Sequence, residues 1–179
     1  MPLRILAISG SLRRGSSNTM LLRAAASVAS TLEGIEIVPY EGLATLPPFN
    51  PDDAEDEPAP VSRFREAIRR ADGLLISSPE YAHGVPGVLK NALDWLVATT
   101  DLEAKPIALL NTSARATHAQ ASLTETLTVM MGRIVPAASP LIALDCHKGL
   151  DAAGMLAEPA IALPLRTALT AFRETLSRP

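Results

Sequence analysis

The chain has 179 residues, 47% of them hydrophobic, a formal charge of -3 and a single cysteine, Cys146. That length buries one sizeable core and leaves little for a second, so one domain over 1–179 is expected. The slightly acidic balance offers no broad positive field to nucleic acid or to an anionic membrane surface, and one cysteine excludes an internal disulfide and a four-thiolate zinc site.

In chain order, Leu3 to Ser9 is an apolar run ending in Gly10-Ser11, the profile of a strand buried on both faces. It is too short for an export signal, and no later stretch is long enough to span a bilayer, so a cytoplasmic protein is expected. After a polar loop, Leu21, Ala25, Val28, Ala29 and Leu32 repeat with helical spacing, with Ser17 or Asn18 placed to cap the first turn. Ile35 to Tyr40 reads as a second strand and Gly73 to Ser77 as a third, with a helix between them that carries Ala67, Ile68 and Ala71 inward. The proline-rich, acidic stretch Leu46 to Pro60 reads as an irregular surface loop without chemistry of its own.

Val85, Val88, Leu89, Ala92, Leu93 and Leu96 fall at steps of three and four, with Pro86 near the helix start. Ile107 to Asn111 predicts a fourth strand. Leu123, Leu127, Met130 and Met131 mark another helix, Leu141 to Leu144 a fifth strand, and Ile161, Leu165, Leu169 and Phe172 a closing helix. This alternation predicts an α/β fold, a flavodoxin-like three-layer sandwich with a five-stranded parallel sheet. In that winding, ligands bind beyond the carboxyl ends of strands one, three and four.

The loop after the first strand, Ser9-Gly10-Ser11-Leu12-Arg13-Arg14-Gly15-Ser16-Ser17-Asn18, sets hydroxyls, an amide, guanidinium groups and free N–H donors at a helix amino terminus. Two readings stand side by side: a phosphate site, or a capped turn whose serines satisfy the helix and whose arginines face water. The loop lacks the Gly-Lys-Ser/Thr of a P-loop and the three spaced glycines of a dinucleotide fold, which favours a mononucleotide's terminal phosphate.

A second motif begins where the third strand ends: Ser78-Pro79-Glu80-Tyr81-Ala82-His83-Gly84-Val85-Pro86-Gly87-Val88-Leu89-Lys90-Asn91-Ala92-Leu93-Asp94-Trp95. Together with Gly10 to Asn18 it resembles the NADPH-dependent FMN reductase family, whose members include quinone, chromate and azo-dye reductases. The resemblance implies FMN as cofactor, NADPH or NADH as donor, and a small-molecule electron acceptor such as a quinone, free flavin, azo dye or chromate. It also implies a homodimer or homotetramer. By the same resemblance Ser11, Arg13, Ser16, Ser17 and Asn18 hold the FMN phosphate, and Pro79, Glu80, Tyr81, Ala82, His83 and Gly84 line the flavin ring. Tyr81 either covers the ring, shapes the acceptor pocket or packs at the strand end, and Glu80 is open to an ion pair at a subunit contact.

Two places depart from the family pattern. Ala82 stands where many members carry asparagine, and Asn111 to His118 has no glycine where many have a glycine-rich turn. Ser113, Arg115 or His118 then replace part of that edge. His83 and His118 lie on different loops and read as lone surface histidines, since HExxH is absent. Asp145-Cys146-His147 reads as a non-converging trio with an inert thiol, and no Gly-x-Ser-x-Gly elbow is present. No protein side chain is expected to be catalytic, because the flavin carries the redox step. The rival readings are an electron carrier of the same fold and a relative that has lost flavin binding.

Overall fold

The computed structural model describes residues 1–54, 56–145, 147 and 149–178. The thiol of Cys146 and the carboxylate of Glu55 lie outside the described residues. Five parallel strands form one sheet in the order β2-β1-β3-β4-β5, with β1 at Leu3–Ser9, β2 at Ile35–Tyr40, β3 at Gly73–Ser77, β4 at Pro106–Leu110 and β5 at Arg133–Ile134. The helices are α1 (Ser17–Ala29), α2 (Ala59–Arg69), α3 (Gly87–Asp94), α4 (Thr117–Val129), α5 (Ala152–Ala157) and α6 (Pro159–Leu176).

Alternation along the strands explains the three layers. Ile5 and Ala7 of β1, Leu75 of β3 and Leu110 of β4 point into a core shared with α1, α5 and α6, where Leu21, Met155, Leu165 and Phe172 are buried. Their neighbours Leu6, Ile8, Leu74, Ile76 and Leu109 face the other way, against Phe64 of α2, Leu89 and Leu93 of α3, and Leu123 and Leu127 of α4. Each fully buried Leu, Ile, Phe or Met among them contributes about 1.5–3 kcal/mol of transfer free energy.

Three expectations change. The fifth strand is not Leu141 to Leu144: β5 is the pair Arg133–Ile134, followed by a 3-10 turn at Pro136–Ala138. The edge of β4 is nonetheless covered in two pieces, because Leu141 bridges Asn111 in parallel, and the Ile142 and Leu144 N–H groups donate to the carbonyls of Asn111 and Thr112 at 2.8 and 2.9 Å. Pro136 and Pro140 have no N–H to give a continuous ladder, which is why the strand is split. Met131 leaves the helix that ends at Val129, adopts a φ of 63° and is 53% exposed. The six-residue α5 was not anticipated; Asp151 caps it by accepting the Gly154 N–H at 2.8 Å.

The Leu46 to Pro60 stretch is less free than its composition implies. Asn91 Nδ2 and Trp95 Nε1 both donate to the Pro47 carbonyl at 2.9 Å, and the Phe49 N–H donates to Asn91 Oδ1 at 2.7 Å. Further along, Glu57 and Asp101 both pair with Arg65. Asn91 and Trp95 therefore fasten this segment to α3 and its C-terminal end.

Candidate active site

At the carboxyl ends of β1, β3 and β4, where this winding places its ligands, the chain leaves an open cleft. Ser11, Arg13, Ser16, Ser17 and Asn18 form one side, Pro79 and Tyr81 another, and Thr112, Ser113, Leu144 and Asp145 the third. A second hollow shares Asn18, Pro79, Thr112 and Ser113 with it and reaches Glu80, Arg115 and Ala116.

Gly10 permits the close approach that builds this corner, because a Cβ there would sit 2.4 Å from Ser78 Oγ and 3.1 Å from Leu89 Cδ2. The chain then enters α1 with Ser16 in the N-cap position, not Ser17 or Asn18. Ser16 has extended backbone but makes no side-chain cap bond, although it is only 4% exposed. The first helical bond runs from the Met20 N–H to the Ser16 carbonyl, so the N–H groups of Ser17, Asn18 and Thr19 lie ahead of any helical partner. A helix end that leaves both its serine hydroxyl and its first N–H groups uncapped beside a cleft has the donor set for a phosphate monoester.

Asn18 is held from behind. Its Oδ1 lies 2.8 Å from Ser77 Oγ and 3.3 Å from Thr112 Oγ1, which leaves the amide NH2 as the group it can turn to an anion. The guanidinium of Arg13 has no hydrogen-bond or ion-pair partner among the described residues, while the Arg13 backbone N–H donates to Ser11 Oγ at 3.3 Å. On the far wall Asp145 accepts from Arg115 at 3.0 Å and from the Ser113 hydroxyl at 3.3 Å. Thr112, Leu144 and Asp145 were not singled out from the sequence as site residues. The signal available for Thr112 was its place just beyond the fourth strand.

The loop after β3 divides. Pro79 and Tyr81 line the cleft, with Tyr81 55% exposed at its mouth. Glu80 lines the second hollow, and its Oε2 accepts the Ala119 N–H at 2.8 Å, so the carboxylate caps α4, which has no cap of its own. Ala82, His83 and Gly84 line neither hollow. They complete a two-residue reversal in which Tyr81 and Gly84 exchange N–H to carbonyl bonds of 3.0 and 2.9 Å, with Ala82 at φ 50° and His83 at φ 60°. His83 and His118 are not lone histidines: their rings stack in parallel, 8° apart in plane, with centroids 4.3 Å apart. Among the described residues no three His, Cys, Asp or Glu side chains gather as a metal set.

A family model described as NADPH-dependent FMN reductase matches residues 3–145. A quinone reductase of Escherichia coli K12 is 40% identical over 116 residues, which is 63% of this chain and 60% of that protein. A probable NADPH:quinone oxidoreductase of Oryza sativa is 45% identical over 95 residues, 52% of this chain and 47% of that protein. The chain thus spans about half to three-fifths of the length of these curated relatives. Among solved structures, the flavoenzyme NAD(P)H:(acceptor) oxidoreductase FerB of Paracoccus denitrificans superposes with a TM-score of 0.84 at 27% identity, covering 97% of each chain.

Proposed function

Since the chain belongs to the NADPH-dependent FMN reductase family, we propose that it binds FMN in the cleft and catalyses electron transfer from NADPH or NADH to a small acceptor, a quinone or a compound of like redox chemistry. The observation that carries this reading is Ser16, a buried N-cap serine whose hydroxyl does not cap its helix and instead lines the cleft. When bound, FMN supplies a ring that takes a hydride from the nicotinamide and hands electrons to the acceptor.

The protein's part is binding and exclusion. Ser11, Ser16, Ser17 and the N–H groups at the start of α1 hold the phosphate, with Asn18 adding its amide and Arg13 its charge. Pro79 and Tyr81 wall the ring, and Thr112 and Ser113 close the opposite edge in place of a glycine-rich turn. No side chain is needed as nucleophile or general base. Donor and acceptor use the same open side in turn, so steady-state lines at varied acceptor are parallel.

The unit of function is the single flavodoxin-like domain 1–179, acting in the cytoplasm as a homodimer or homotetramer. No helix of the described residues is long and apolar enough to cross a membrane. Exposed Val97, Val129 and Met131 share one groove between the ends of α3 and α4 and supply an apolar contact for a second copy.

The test compares FMN with riboflavin, which lacks only the phosphate. Arg13→Ala weakens FMN binding by about 1.5–3 kcal/mol and leaves riboflavin nearly unchanged. Equal weakening of both ligands would mean that the loop acts through fold stability, and a protein that binds FMN yet oxidises neither nicotinamide is a carrier.

A further inference from the structure

Three features meet at the junction between the loop after β3 and the first turn of α4. Two consecutive non-glycine residues, Ala82 and His83, hold positive φ, a conformation that costs L-residues energy and persists only when neighbours impose it. The His83 ring lies flat on that of His118, the second residue of α4. Glu80, from the same loop, caps the N–H of the next residue, Ala119. Tyr81, inside the reversal, lines the cleft.

We propose that His118 is a positioning residue: by stacking on His83 it holds the left-handed Tyr81–Gly84 turn beside the flavin site. The proposal rests on the cleft being the flavin site. Two parallel rings with centroids 4.3 Å apart make an aromatic contact that the turn loses when either ring is removed.

The test has two readouts. The first is exchange protection of the Gly84 amide, which bonds the Tyr81 carbonyl, in the flavin-free protein. The second is FMN affinity by flavin fluorescence. His118→Ala lowers both about three- to tenfold, the size of one aromatic pair contact. His118→Phe keeps a ring against His83 and restores both. If His118→Ala matches the unaltered protein, or His118→Phe fails to restore what His118→Ala loses, the proposal is overturned. Protection that follows this pattern in a protein that takes up no FMN sinks the flavin reading and leaves the positioning role standing. FMN binding with protection indifferent to residue 118 does the reverse.

Discussion

Asn18 and Ser77, 59 positions apart, meet side chain to side chain at 2.8 Å beneath the phosphate loop, and Ser77 is fully buried. Ser77 Oγ also lies 3.0 Å from the Leu110 carbonyl, so one hydroxyl ties α1 to β3 and β4 where the cleft begins. Removing it as Ser77→Ala leaves the Asn18 carbonyl with the longer Thr112 contact alone. The expected cost is about 1–2 kcal/mol in denaturant unfolding, together with weaker FMN binding as the Asn18 amide loses its fixed orientation. An unchanged FMN affinity would mean that Asn18 does not reach the ligand.

Ser16→Ala separates a capping role from a ligand role. Loss of an ordinary serine N-cap costs about 1 kcal/mol of stability. Here no cap bond exists to lose, so the unfolding free energy changes by less than about 0.5 kcal/mol, while FMN binding weakens by about 0.5–1.5 kcal/mol. The opposite pattern, lost stability with intact affinity, returns Ser16 to a structural role.

Asn91 gives and accepts one bond each across 44 and 42 positions to the Pro47–Phe49 segment. In Asn91→Ala the Phe49 N–H loses its acceptor and the Pro47 carbonyl keeps only Trp95. The protein loses about 0.5–1.5 kcal/mol, since the exposed Phe49 N–H turns to water, and limited proteolysis shifts to the acidic stretch near Asp52. Cleavage no faster than in the parent would show that the Phe49–Trp95 edge contact, with centroids 5.1 Å apart, is sufficient to hold the segment.

Alkaline stability divides between two groups of opposite sign. Burial raises Tyr40 above its ordinary 10.0, with Arg63 opposing, so the unfolded chain ionises first and this contribution is lost as pH rises past 10. Burial lowers Lys105 below 10.5, against Asp72 and Asp101, so its penalty is present at neutral pH and is relieved as pH climbs through that window. Tyr40→Phe therefore shows less loss of stability than the parent above pH 10. Lys105→Met shows more, measured by urea unfolding at fixed salt. Parallel curves for parent and variants would remove both assignments.

What the sequence made legible follows from how each feature is encoded. Strands buried on both faces read as near-continuous apolar runs, so Leu3–Ser9 and Gly73–Ser77 emerged with their bounds, while the edge strand Ile35–Tyr40 showed through alternation, Ile35 and Ile37 buried with Glu36 exposed between them. The fifth strand misled because Leu141 to Leu144 has the right composition while the prolines at 136 and 140 break its ladder. Ser11 to Asn18 was visible because one contiguous loop supplies it; Thr112 and Asp145 come to the same cleft only through the winding of β4 and the segment after it. The Glu80 cap and the histidine stack are pairings between distant loops, and no local pattern records them.

The turn that carries Tyr81 stores strain that a single substitution can release. Ala82, at φ 50°, occupies a left-handed conformation that costs an L-residue roughly 1–2 kcal/mol and glycine almost nothing. Glycine also adds freedom to the unfolded chain, which takes back about 0.5–1 kcal/mol. Ala82→Gly is therefore expected to gain about 0.5–1 kcal/mol, raising Tm by about 1–4 °C for a chain of this length. Ala82→Asn, whose side chain also tolerates positive φ, gains in the same direction by less. FMN affinity rises with Ala82→Asn if an amide at this position reaches the flavin and stays level with Ala82→Gly, so the pair distinguishes backbone relief from a new contact. A fall in Tm for both variants would show that residue 82 is not held at positive φ in solution, and the positioning role assigned to His118 would lose its object.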